Sequence, residues 1–193
     1  MRQALLIAST IIATVSFLPY MLDVIRGKVK PRIVTFFTWS LICFISTFAA
    51  LSAHAYSSAV LTGVSAIVDF SILVLAFRGA EKSFTILDIA CQALAIVGII
   101  AWLTTKDPLW AIAFTVFADF IGCIPTYHHA WVKPSEEAWH SFIIFGFASL
   151  LSVLSIKSLT FTSAAFPIYF VLSGLSIGLE IMYRQAKILT HHP

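Results

Sequence analysis

The sequence predicts an all-α polytopic membrane protein: seven transmembrane helices, built as two parallel three-helix repeats joined by a linker helix. Three observations carry that expectation. The 193 residues are 60% hydrophobic and 11% charged, with a mean hydropathy of +0.96, whereas soluble domains are about a quarter charged. The apolar residues fall into seven long runs parted by short linkers. One apolar stretch also recurs farther along the chain.

Crossing a hydrocarbon core takes about 20 mostly apolar helical residues. Residues 5–22, 33–53, 55–77, 84–105, 109–131, 141–156 and 160–183 answer to that description. The first run follows Arg2 and faintly resembles a secretory leader. It continues to Leu22 without a small-x-small cleavage site, so it reads as a mature helix. The sixth run is short, and its start is open to as early as Glu137. Arg26-Gly27-Lys28, Arg78-Gly79 and Lys106-Asp107-Pro108 supply the loop punctuation between runs. No water-soluble domain is expected among them. Cys43, Cys91 and Cys123 lie inside apolar runs without CxxC spacing, which reads as core packing and not as disulfides or metal ligands.

The basic residues divide unevenly. Arg2, Lys106 and Lys157 fall on the side of the N-terminus. The other nine, including Arg26 to Arg32, Arg78, Lys82, Lys133, Arg184 and Lys187, fall on the opposite side. Nine against three predicts the N-terminus outside and the C-terminus in the cytoplasm.

The recurrence begins with residues 60–69, VLTGVSAIVD, against residues 171–180, VLSGLSIGLE, at an offset of 111 with four identities. Val29-Lys30-Pro31 matches Val132-Lys133-Pro134 at offset 103, which also carries Phe44, Ser46, Leu51 and Ser52 onto Phe147, Ser149, Leu154 and Ser155. Pro19 pairs with Pro125 at offset 106. The changes of offset fall in loops or near helix ends, where insertions are tolerated. Residues 1–83 therefore form the first repeat, 84–108 the linker helix and 109–193 the second repeat. A single intervening helix puts both repeats in the same orientation, about an axis along the membrane normal.

At this point the chain resembles the SWEET and PQ-loop superfamily of seven-helix transporters, over essentially its whole length. The family's Pro-Gln pair at the cytoplasmic end of each repeat's first helix stands here as Pro19-Tyr20 and Pro125-Thr126. The prolines are kept and the glutamines are not. Sugar-carrying members place Asn in helices 3 and 7, and this chain contains no Asn. The resemblance thus implies the fold, alternating access and Pro19 and Pro125 as hinges more firmly than it implies a sugar.

Polar residues inside the runs mark the candidate site. Ser58, Thr62, Ser65 and Asp69 share one helical face, as do Tyr169, Ser173, Ser176 and Glu180 in the repeat-related helix. A polar stripe facing lipid is costly, so both stripes are expected to face protein or water. Thr62, Ser65, Ser173 and Ser176 are candidates to hydrogen-bond a solute; the alternative is bonding back to their own helix carbonyls. Asp119, midway along the fifth run, is a candidate to bind a proton or a cationic group of the substrate; the alternative is a structural, protonated Asp. Asp69 and Glu180, nearer the cytoplasmic ends, are open between a gate or proton relay and pairing with Arg78, Lys82 or Arg184. Asp88 and Gln92 on the linker helix are expected to bond neighbouring helices. Trp39, with its counterpart Phe142, is either an aromatic gate or an interface anchor.

No phosphate loop, nucleophile elbow or metal-ligand cluster is present, so no cofactor or metal is expected and the chain reads as a non-enzyme. The leading expectation is a facilitator or proton-coupled carrier of a small polar solute, neutral or cationic. Its partners are that solute, protons and the lipid bilayer, with no nucleic acid and with homo-oligomerisation open. The expected location is a bacterial plasma membrane, with an organelle membrane as the alternative. A membrane receptor on the same fold is the rival class. An intramembrane enzyme pairing Asp119 with Asp88 or Glu180 is the third.

Overall fold

The structure, a computed structural model, describes residues 2–28, 31, 33–77 and 86–191. Among them there is no strand. The helices are α1 (Arg2–Ser16), α2 (Leu18–Ile25), α3 (Ile33–Ser52), α4 (Tyr56–Ala76), α5 (Ile86–Thr105), α6 (Pro108–Val132), α7 (Trp139–Ser155) and α8 (Phe161–His191), with a 3-10 turn over Pro134–Glu136. Helices α1 and α2 share one apolar run, so the seven expected runs are each met by helix. Five stretches are long and apolar enough to cross a membrane: Arg2–Ile25, Thr35–Ser52, Tyr56–Ala76, Pro108–Val132 and Phe161–Ile188. Ile89–Thr105 and Trp139–Ser155 are shorter apolar helices.

Local chemistry sets the boundaries. The first run breaks at Phe17, with Pro19 in the first turn of α2, where its missing N–H costs least. Lys106 turns α5 off with a φ of 60°. Asp107 then caps α6 by accepting the Leu109 amide at 2.9 Å, and Pro108 opens the helix. Such a cap is worth about 1 kcal/mol. Helix α7 starts at Trp139, two residues before the expected run and close to Glu137. Helix α8 runs on to His191, beyond the expected end at 183. The expected start of the linker run at 84, the boundary at 83/84, and Lys30, Arg32, Arg78 and Lys82 lie outside the described residues.

The side-chain distribution is inside out. Along α1 and α2, Ile7, Ile11, Val15, Leu18, Leu22 and Ile25 form an exposed stripe, while Ser9, Ala13, Ser16 and Tyr20 are buried. On α5, Ile89, Ile96, Ile100 and Leu103 face outward and Cys91 and Ala95 inward. Large apolar groups outside and small or hydroxyl groups inside suit helices that pack in an apolar surround.

Helix α1 packs chiefly on α7, and α6 packs on α3, α5 and α8; α3 pairs with α4, and α7 with α8. Helix α4 also touches α1 and α8, and α5 lies on α6 and α3. Hydroxyls tie these pairs together. Ser9 donates to the Ala148 carbonyl at 2.7 Å, joining α1 to α7. Ser46 and Thr115 bond at 2.7 Å, joining α3 to α6. Thr47 donates to Thr62 at 3.0 Å, and Gln92 donates to Thr38 at 2.7 Å, so Gln92 does bond a neighbouring helix as expected.

The α7/α8 seam is tightest at its glycines. A Cβ on Gly174 would lie 2.9 Å from the Phe142 carbonyl oxygen, and one on Gly178 would lie 2.6 Å from Ile143 Cγ1. At Gly63 the nearest atom would be Thr47 Cγ2 at 3.4 Å, an ordinary contact. Gly174→Ala is therefore expected to cost about 1–3 kcal/mol, the usual cost of overpacking. Gly63→Ala should stay within about 0.5 kcal/mol. Melting both variants in detergent checks the contrast, and equal midpoints would contradict it.

Candidate functional site

A cavity lies among α1, α3, α4, α6, α7 and α8. Helix α1 and its break contribute Ala13 and Phe17, and α3 contributes Trp39 and Cys43. Ser65 and Asp69 come from α4, Asp119 and Cys123 from α6. Phe142 and Phe145 on α7 and Phe170, Ser173 and Gly174 on α8 close the far wall. Among the described residues α5 contributes none to the lining.

The residues singled out in the sequence separate here. Ser65, Asp69, Asp119, Ser173 and Trp39 all line the cavity. Thr62 does not; it is fully buried, donates to the Ser58 carbonyl at 2.9 Å and accepts from Thr47. Ser176 is exposed, donates to the Leu172 carbonyl at 2.6 Å and also bonds the Tyr127 hydroxyl. Glu180 is half-buried outside the lining, within electrostatic reach of Arg184. Pro19 marks the break below Phe17, whereas α6 continues unbroken through position 125. The side chain of Asp88 lies outside the described residues.

The two carboxyls are the strongest chemical feature. Asp69 is 8% exposed and Asp119 5% exposed, and Asp119 is near enough to act electrostatically on Asp69. Among the described residues the lining contains no Lys or Arg. Among the described residues neither carboxyl joins an ion pair. Asp119 is not bare, since the Tyr169 hydroxyl bonds its side chain. Cys123 Sγ lies 4.0 Å from Asp119 Oδ2 and 3.2 Å from the Tyr169 hydroxyl. Around this cluster stand Cys43 from α3 and Cys91 from α5, both thiols rather than bases. A charged group held this far from water requires a partner or a proton. The Trp39 indole N–H is buried without an acceptor.

Sequence reasoning passed over Phe17, Phe145 and Phe170. Their rings form a chain: Phe17 lies 6.3 Å from Phe142 and 5.4 Å from Phe145, which lies 5.1 Å from Phe170. In runs this rich in Phe, nothing distinguishes a cavity ring from a packing one. Cys43 and Cys123 are buried and free, as the core reading expects, and they also edge the cavity. No group of three His, Cys, Asp or Glu able to hold a metal occurs among the described residues.

At one end of the bundle, α6, the 3-10 turn and α8 are cross-tied. His129 Nδ1 lies 2.8 Å from Glu137 Oε1 and its Nε2 3.2 Å from Glu136 Oε2. Two carboxylates on both ring nitrogens call for the doubly protonated imidazole. Arg184 Nε donates to the Trp131 carbonyl at 3.0 Å while its guanidinium sits 4.2 Å above that ring. Gln185 donates to the Pro134 and Glu137 carbonyls.

Set against known protein families, curated proteins and solved structures, the chain matches none.

Tyr169→Phe removes the hydroxyl shared by Asp119 and Cys123. Stability should fall by about 1 kcal/mol, the net worth of such a bond. Thermal melting of the purified variant checks this, and an unchanged midpoint would show that the hydroxyl is not needed to hold the carboxyl.

Proposed function

We propose that this chain is a membrane transporter, a facilitator or proton-coupled carrier that moves a small polar solute, neutral or cationic, by alternating access. The observation that carries the reading is the central cavity. It lies among apolar-surfaced helices and is lined by two carboxyls, with no base among the described lining residues. Ionisable groups inside a membrane are expensive and most often functional.

The repeat architecture belongs to the same proposal. Exchanging α1, α3 and α4 with α6, α7 and α8 carries the main packing pairs onto one another: α1 on α7 becomes α6 on α3, α3 on α4 becomes α7 on α8, and α1 on α4 becomes α6 on α8. The hydroxyl ties follow suit, because the offset of 106 that relates Pro19 to Pro125 also relates Ser9 to Thr115. Both observations support two parallel three-helix units with α5 as linker, and with them the likeness to the SWEET and PQ-loop transporters. In this reading substrate sits between the units, Asp119 takes the proton or the cationic group, and the break at Phe17 with Pro19 is the hinge. The excess of basic residues on one side supports the N-terminus outside and the C-terminus in the cytoplasm, in a bacterial plasma membrane. A receptor for a peptide carboxylate finds no basic side chain in the lining.

Asp119→Asn is the test, in proteoliposomes loaded with a panel of sugars, amino acids, amines and vitamins. Flux by the unaltered protein should differ between mildly acidic and neutral buffer, because a proton and a solute compete for a buried carboxyl. The variant should fold and lose that difference. Flux that responds to pH equally in both proteins would remove Asp119 from the mechanism.

A further inference from the structure

We propose that the central cavity binds an organic ammonium ion with an apolar body, its cationic end between Asp69 and Asp119 and its body against the rings of Trp39, Phe142, Phe145 and Phe170. The inference rests on the transporter reading and narrows its solute to one chemical class. Asp69 carries the argument. Its side chain is 8% exposed, faces the cavity, and makes no hydrogen bond or ion pair among the described residues. A buried carboxyl that opens onto empty space and has no protein partner is a place for a countercharge. Asp119 stands within electrostatic reach of it, so negative charge gathers at one pole of the cavity. An anion would meet two carboxyls and no base.

The rest of the wall is aromatic. The rings of Phe142, Phe17, Phe145 and Phe170 adjoin one another and line the cavity, and aromatic rings attract cations where water is excluded. A sugar suits the wall poorly. It needs partners on all sides, and among the described residues the polar side chains in the lining are two Asp, two Ser, two Cys and the Trp39 indole. The Ser65 hydroxyl proton is already given to the Leu61 carbonyl at 3.0 Å. Each sugar hydroxyl left unpaired would cost about 1–3 kcal/mol.

Isothermal titration of the full-length protein in detergent tests this. The probes are choline, its uncharged isostere with tert-butyl in place of trimethylammonium, tetramethylammonium, benzyltrimethylammonium, benzenesulfonate and glucose. Choline should bind at least about tenfold tighter than the isostere, and benzyltrimethylammonium tighter than tetramethylammonium. Asp69→Asn should weaken both ammonium ligands by about tenfold or more. Equal binding of choline and its isostere, or glucose binding in their place, overturns the proposal without relying on any variant to fold. Proteoliposome flux separates the two readings. Glucose carried with dependence on Asp119 while ammonium ions are ignored overturns the ammonium site and leaves the transporter standing. Ammonium binding without flux does the reverse. A folded protein that neither binds nor carries any probe overturns both.

Discussion

The outside of this molecule is apolar, so its polar side chains must find their partners inside. That single constraint orders the packing. Ser9, Ser46, Thr47, Thr115 and Ser155 are spent on ties between or within helices. Small residues let backbones come close enough for those ties, most of all at Gly174 and Gly178 between α7 and α8. Against such a background the side chains that find no hydrogen bond among the described residues stand out: the buried Trp39 indole N–H and the hydroxyls of Ser58 and Ser141, and the Asp69 carboxyl, which opens onto the cavity. Only Trp39 and Asp69 of these face the cavity.

The helices were legible because an apolar run of membrane length has few other fates. Their ends were legible where side chains punctuate them, as at Lys106-Asp107-Pro108, whose stop, cap and start appear in that order. The end of α8 was not. Arg184, Gln185 and Lys187 read as the close of a run, yet Arg184 and Gln185 are drawn into carbonyls of the α6 end and the 3-10 turn, and the helix continues. That is a tertiary effect with no local signature.

The candidate site was half legible. A carboxyl in an apolar run is conspicuous, and Asp69 and Asp119 do meet at one cavity. Helical spacing puts Thr62, Ser65 and Asp69 on one face, but it does not say at what depth the cavity opens. On α4 the lining begins at Val64, so Thr62 falls short of it; on α8 Ser173, Gly174 and Ile177 line it, while Ser176 between them is exposed on another side. The aromatic wall was invisible for want of contrast, since the chain holds 17 Phe. What the carboxyls do chemically depends on those rings, which exclude water and leave charge as the main basis for choosing a ligand.

The break at Phe17 also makes the two halves mechanically unequal. Below it α2 is eight residues long, and its charged end is held by Asp23 pairs at 3.9 Å to exposed Arg26 and Lys28. Helix α6, which carries Pro125, is by contrast uninterrupted and lashed to α8 by Arg184 and, through the 3-10 turn, by Gln185 and His129. Bending the first half strains one interrupted helix and two solvent-screened pairs, which are worth little. Bending the second breaks several charge-assisted bonds together. Among the described residues, the polar ties at the end of α2 are thus weaker than those at the end of α6.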